Sequence, residues 1–123
     1  MTDGKIMVVE DEDQVRTLIV RLLEKRGFHV IQARNGRKAL EAIQNDLDQV
    51  ALVITDVVMP EMGGTELLKE LRALRPDLPV LCMTGYTREE VLSEDDLPNV
   101  RFIEKPFTPN VLLDEVDTIL KAI

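Results

Sequence analysis

Short apolar runs recur along the whole chain. Near-continuous runs of this kind, bounded by polar residues, are typical of strands that are buried on both faces of a parallel sheet. We predict strands over Ile6–Val9, His29–Ala33, Val50–Thr55, Val80–Met83 and Val100–Glu104.

Segments with helical spacing separate the predicted strands. The first carries apolar residues at i, i+3, i+4, i+7 and i+8, a stripe that can cover one sheet face: Val15, Leu18, Ile19, Leu22 and Leu23. We expect this helix to stop at Gly27, because glycine readily takes the left-handed conformation found there. A second helix should open at Asn35 and Gly36, and a third should end before Pro76, whose ring removes a backbone donor. The third carries its own apolar stripe: Leu67, Leu68, Leu71 and Leu74.

Two further helices are expected in the last part of the chain. Thr87, followed three residues later by Glu90, forms a capping box that predicts a short fourth helix. Thr108 and Pro109 suit the N-cap and first helical position of the last helix. A strand followed by a helix, five times over, predicts an α/β fold: a doubly wound, five-stranded parallel sheet with helices on both faces. The 123 residues suffice for one domain over residues 1–123, but not for a closed eight-stranded barrel of about 250 residues.

The charge balance and the cysteine content narrow the functional classes. Lys and Arg number 15 against 23 Asp and Glu, and the net charge of −8 would repel a nucleic acid backbone. Cys82 is the only cysteine, so an internal disulfide is excluded. The chain shows no signal-peptide pattern and no apolar stretch of the roughly 20 residues that span a bilayer. We therefore expect a cytoplasmic protein that neither binds nucleic acid directly nor inserts into a membrane.

Polar side chains follow four of the predicted strands. Glu10 and Asp11 follow the first strand, Asp56 the third, Thr84 the fourth and Lys105 the fifth. The carboxyl ends of parallel strands share one sheet edge, where ligand crevices form. Three converging carboxylates need a compensating cation, and oxygen ligands without His or Cys favour Mg²⁺. Asp56 is the candidate nucleophile, because a carboxylate can form an aspartyl phosphate, and Lys105 and Thr84 could stabilise a transferring phosphoryl group.

Four short motifs support a more specific interpretation: Val8-Val9-Glu10-Asp11; Asp56-Val57-Val58-Met59-Pro60 followed by Gly63-Gly64; Met83-Thr84-Gly85; and Lys105-Pro106-Phe107. In this order and at these separations they closely resemble the receiver domain of two-component response regulators, the CheY-like family, from about residue 6 to residue 123. The resemblance implies a flavodoxin-like (βα)5 sandwich with strand order 2-1-3-4-5.

The resemblance also implies a function. Asp56 would attack a phosphohistidine on a sensor histidine kinase or a histidine phosphotransfer protein. Mg²⁺ would be held by Asp11, Asp56 and the main-chain carbonyl of Val58, with Glu10 reaching the ion through water. Phosphorylation would switch a surface that contacts a downstream protein target. Such a chain is a signalling phosphoacceptor that assists its own phosphorylation and dephosphorylation, rather than an enzyme acting on a separate substrate.

The same resemblance assigns roles to three residues in signalling. Lys105 would pair with Asp56 and then with a phosphoryl oxygen, while the Thr84 hydroxyl moves towards the phosphoryl group. Phe102 matches an aromatic switch position whose ring turns inward when Thr84 moves, and without a hydroxyl it would act by packing. The Lys105-Pro106 bond is expected to be cis, since X-Pro is the only context in which a cis bond costs little.

Some positions depart from the usual pattern of the family. Glu10 occupies a position where Asp is commoner. Val58 cannot orient a hydrolytic water, so we expect slow self-dephosphorylation, and slower phosphate loss from a Val58→Asn variant would contradict this. Two segments, Gly85-Tyr86-Thr87 and Lys105-Pro106-Phe107-Thr108, are similar to receivers attached to hybrid histidine kinases.

Two other functions fit parts of the pattern. A phosphatase of the haloacid dehalogenase type uses the same ion and an aspartyl phosphate, but it carries a second Asp two residues after the nucleophile, where this chain has Val58. A flavodoxin-like module that binds a nucleotide or flavin would need a glycine-rich phosphate loop after the first strand. Glu10 and Asp11 stand there instead and would repel phosphate.

Overall fold

Five parallel strands form one sheet in the computed structural model, which describes residues 4–57, 62–85 and 100–121. The strands are β1 (Lys5–Val9), β2 (His29–Ala33), β3 (Val50–Asp56), β4 (Val80–Thr84) and β5 (Val100–Glu104). They lie in the order β2-β1-β3-β4-β5, and every neighbouring pair is parallel. The predicted fold class and strand order are confirmed.

Four helices are present among the described residues. They are α1 (Asp13–Lys25), α2 (Gly36–Ile43), α3 (Gly64–Leu74) and α4 (Pro109–Lys121). The helix predicted to start at Thr87 lies outside the described residues. Within the described ranges, no helix combines the length and the apolar character needed to cross a bilayer.

The predicted helix boundaries agree with the local geometry. The Asn35 side chain accepts a hydrogen bond from the Lys38 N–H at 2.9 Å, which satisfies one of the free donors at the start of α2. The Thr108 hydroxyl does the same for the Val111 N–H at 3.2 Å. Gly27 follows α1 with a φ of 90°, in the left-handed region that other residues rarely adopt.

Helices cover both faces of the sheet. Successive strand side chains point to opposite faces, and since most of them are apolar, each face needs a covering layer. Met7 and Val9 belong to a core cluster that includes residues of α2 and α3. Ile6 and Val8 belong to a second cluster with residues of α1 and α4. Cys82 lies in the first cluster, where burial raises the pKa of its thiol to about 12 and leaves it protonated and unreactive.

Two predicted core residues lie at the surface instead. Leu18 on α1 is 54% exposed and Leu74 at the end of α3 is 42% exposed. Ile19, Val20 and Leu23 are the buried residues of α1, so the contact with the sheet uses only part of the apolar stripe. An apolar stripe in the sequence identifies which face of a helix points inward, but it does not show how many residues of that stripe become buried.

Candidate functional site

The register of the sheet brings the four predicted strand ends together. Val9 pairs with Thr55 across β1 and β3, and the next residues along the chain are Glu10 and Asp56. Thr84 pairs with Glu104 across β4 and β5, and Lys105 follows directly. Since β1, β3, β4 and β5 are successive neighbours, their polar side chains project from one edge of the sheet.

Three carboxylates form the acidic part of this edge. Glu10, Asp11 and Asp56 each offer an oxygen atom, and these oxygens lie within 4.8 Å of one another. Glu10 is fully buried and Asp56 is 9% exposed, whereas Asp11 faces solvent. The cluster is therefore open on the side of Asp11 and closed on the side of the sheet.

Lys105 brings positive charge directly to the carboxylates of the site. Its ammonium donates to the Asp56 carboxylate at 2.8 Å and to the Glu10 carboxylate at 3.1 Å. Its backbone N–H donates to the Thr84 carbonyl at 2.8 Å, which fixes the start of the following loop against β4. The Lys105-Pro106 peptide bond is cis, as predicted.

The charges in the site do not balance. Burial, followed by the charge of Asp56, raises the pKa of Glu10 to about 7. Burial alone would lower the pKa of Lys105, but its hydrogen bonds to Asp56 and Glu10 raise that pKa. Among the described residues, one ammonium bonds to two carboxyl groups of this three-carboxylate cluster, and oxygen ligands of this kind suit a hard divalent cation such as Mg²⁺. The donor set fits that ion.

The remaining predicted site residues fall in different places. Thr84 is buried at the end of β4, next to the strand that carries Asp56. Phe102 is half-buried on β5, where it packs against the core cluster of α2 and α3. Val58 lies outside the described residues, so its predicted carbonyl contact stays a prediction.

Several contacts at the site were not foreseen from sequence. One carboxylate oxygen of Glu10 accepts from Lys105, and the other accepts from the Glu12 N–H at 3.2 Å. Arg16 donates to the Glu10 backbone carbonyl at 2.8 Å. The sequence signal that points to Arg16 is its position three residues after Asp13 on a predicted helix, a spacing at which opposite charges pair.

Gly36 holds the chain that follows the Asp56 loop. Its N–H donates to the Met62 carbonyl at 3.0 Å. A Cβ atom on Gly36 would lie 2.7 Å from both that carbonyl oxygen and the Met62 Cγ atom, closer than side chains approach backbone. A side chain at this position would therefore push residue 62 away from α2.

We expect Gly36→Ala to lower the free energy of unfolding by about 1–3 kcal/mol, because the backbone must shift to admit the methyl group. Urea unfolding followed by circular dichroism measures this. Gly85→Ala is the control, since a Cβ at Gly85 meets nothing within 4 Å in the part of the chain that the structure describes. Equal midpoints for the two variants would show that the contact with Met62 yields without cost.

The family model for the response regulator receiver domain matches residues 6–117 of the chain. The chain belongs to the receiver domain family. Receiver domains are phosphoacceptor signalling modules of two-component systems, and they bind Mg²⁺ at an acidic pocket. The two alternative functions considered from sequence, a dehalogenase-type phosphatase and a flavodoxin-like cofactor module, are not those of this family.

Two relatives show the kinds of protein in which a similar receiver sequence occurs. The response regulator receiver protein CpdR of Brucella abortus (strain 2308) is 34% identical over 119 residues, which cover 96% of this chain and 98% of CpdR. The sensor kinase CckA of the same organism is 39% identical over 119 residues, which cover 94% of this chain and 12% of CckA. The chain thus spans nearly all of one relative and a small part of the other.

Solved structures agree with the sequence relatives. The receiver domain of the hybrid histidine kinase CckA matches with a TM-score of 0.81 and 35% identity, covering 95% of this chain and 99% of that domain. The chemotaxis protein CheY4 of Vibrio cholerae matches with a TM-score of 0.86 and 29% identity, covering 95% and 98%. The predicted similarity to receivers of hybrid kinases is confirmed.

Proposed function

We propose that Asp56 accepts a phosphoryl group from a phosphohistidine on a sensor histidine kinase or a histidine phosphotransfer protein. A carboxylate oxygen of Asp56 attacks the phosphorus atom while the P–N bond to the imidazole breaks, and its electron pair returns to the ring. The product is an aspartyl phosphate. The observation that carries the proposal is the Lys105 ammonium, 2.8 Å from an Asp56 oxygen at the edge of the acidic cluster.

The acidic cluster would hold Mg²⁺. Asp11, Asp56 and the backbone carbonyl of Val58 are the proposed direct ligands, and Glu10 is proposed to act through a water molecule. When bound, Mg²⁺ supplies positive charge that neutralises phosphoryl oxygens as they approach a carboxylate. Glu10 is the deepest of the carboxyl groups, and its hydrogen bonds from Glu12 and Lys105 hold it in place.

Lys105 and Thr84 would complete the phosphoryl site. The ammonium of Lys105 is already held at the acceptor carboxylate, so it can move to a phosphoryl oxygen over a short distance. The hydroxyl of Thr84, on the neighbouring strand end, supplies a neutral donor for another oxygen. We propose that movement of Thr84 is passed to Phe102 on β5, which changes the surface presented to a downstream protein.

The test uses a small phosphodonor and needs no partner protein. Incubation with acetyl phosphate and Mg²⁺ should add one phosphoryl group per chain, measured by intact mass spectrometry. Hydroxylamine should remove the label, because it cleaves acyl phosphates, and EDTA should prevent labelling. A chain that gains no label from acetyl phosphate or from a phosphorylated histidine phosphotransfer domain, or a label that resists hydroxylamine, would overturn the proposal.

A further inference from the structure

Arg16 on α1 makes contacts that go beyond its i,i+3 ion pair with Asp13. Its guanidinium donates to the Glu10 carbonyl, to the Asp13 carboxylate and, at 3.4 Å, to the Gln32 side chain on β2. The Arg16 side chain is 13% exposed, whereas that of Asp13 is 80% exposed. The guanidinium of Arg16 therefore packs against the end of β1 and does not extend into solvent.

The contact with the Glu10 carbonyl fixes the direction of the acidic loop. The Glu10 N–H donates to the Ala33 carbonyl at 3.1 Å, so the peptide before Glu10 is tied to β2. Its carbonyl, on the next peptide, is tied to Arg16 at 2.8 Å. Because the peptide unit is planar, holding that carbonyl also sets where the Asp11 Cα lies. Asp11 follows the strand, outside any helix or strand, and has no sheet partner to do this.

From this geometry we propose that Arg16 is a positioning residue for the cation site. It holds the Glu10–Asp11 peptide so that the exposed Asp11 carboxylate converges with the buried carboxylates of Glu10 and Asp56. The inference rests on the proposed function in that it takes these three residues as the cation-binding set. It assigns Arg16 no contact with the cation or with the phosphoryl group.

The sign of the effect on cation affinity separates positioning from charge. Arg16 is a cation close to a cation site, so by Coulomb's law its removal should strengthen Mg²⁺ binding. A residue that positions ligands does the opposite, and loss of such supporting groups weakens metal binding by about 10-fold to 100-fold. The two roles predict changes in opposite directions.

The experiment titrates Mg²⁺ alone into the metal-free protein and follows amide chemical shifts by NMR. Arg16→Met should bind Mg²⁺ at least about 10-fold more weakly than the wild type. Arg16→Lys should recover part of the loss, because an ammonium can donate to the Glu10 carbonyl but lacks the planar guanidinium whose three nitrogens each bond to a different acceptor. Arg21→Met, an exposed residue on the same helix, controls for the change in net charge.

Urea unfolding of each variant identifies a purely structural role. Affinity that is unchanged or higher in Arg16→Met, with or without a shift of the unfolding midpoint, overturns the proposal. If Arg16→Met does not fold, Arg16→Lys decides alone: weaker Mg²⁺ binding supports positioning and wild-type binding refutes it. Mg²⁺ titration does not depend on phosphotransfer, so a failure of the acetyl phosphate test leaves this result readable.

Discussion

Replacing Asp56 with Asn should abolish the gain of a phosphoryl group from acetyl phosphate. The amide oxygen of Asn is neutral and a far weaker nucleophile than a carboxylate, while the shape of the side chain is kept. Labelling of Asp56→Asn should stay at background in intact mass spectra under conditions in which the wild type is labelled. The variant should still fold, because Lys105 keeps its hydrogen bond to Glu10.

The matched control for this variant is Asp48→Asn. Asp48 is exposed and precedes β3, so it lies at the opposite end of the strand from Asp56. The two variants carry the same change in charge, and Asp48→Asn should be labelled like the wild type. Label of equal amount in Asp56→Asn would place the acceptor on another residue, and peptide mapping would then identify it.

The strand ends could be predicted from sequence because they depend on order alone. Once four buried strands are parallel and adjacent, Glu10, Asp56, Thr84 and Lys105 must share an edge, whatever their side-chain conformations. The same reasoning could not find Arg16, because its role depends on how one guanidinium folds back on a carbonyl six positions earlier.

The sequence also could not predict how deeply each acidic residue of the site is buried. All three acidic residues follow a predicted strand, yet Glu10 is fully buried and Asp11 is exposed. The difference follows from the end of β1: Glu10 still bonds to the backbone of β2, whereas Asp11 has left the sheet. Burial, together with the charge of Asp56, raises the pKa of Glu10 to about 7, while the hydrogen bond from Lys105 acts in the opposite direction.

Lys105→Met should separate the structural and chemical roles of the ammonium. Without divalent cation, the variant leaves Glu10 and Asp56 facing each other without the ion pairs that Lys105 makes with both. We expect the free energy of unfolding in EDTA to fall by about 1–3 kcal/mol, less than the roughly 3–5 kcal/mol of a fully buried pair. The cost is reduced because the Lys105 side chain is 31% exposed and Glu10 can take up a proton.

Mg²⁺ should reverse this loss of stability in part, because the ion and the Lys105 ammonium compete for the same carboxylates. With the competing ammonium gone, the three carboxylates should bind Mg²⁺ more tightly, so saturating Mg²⁺ should stabilise Lys105→Met more than the wild type.

Labelling by acetyl phosphate should nevertheless fall by about 100-fold, because the variant lacks the positive charge for the phosphoryl oxygens. Lys38→Met is the control, since Lys38 is largely exposed and lies 3.9 Å from Glu41. Labelling of Lys105→Met at the wild-type rate would mean that Lys105 takes no part in phosphoryl transfer. Weaker stabilisation by Mg²⁺ would mean that the ammonium does not compete with the ion for the carboxylates.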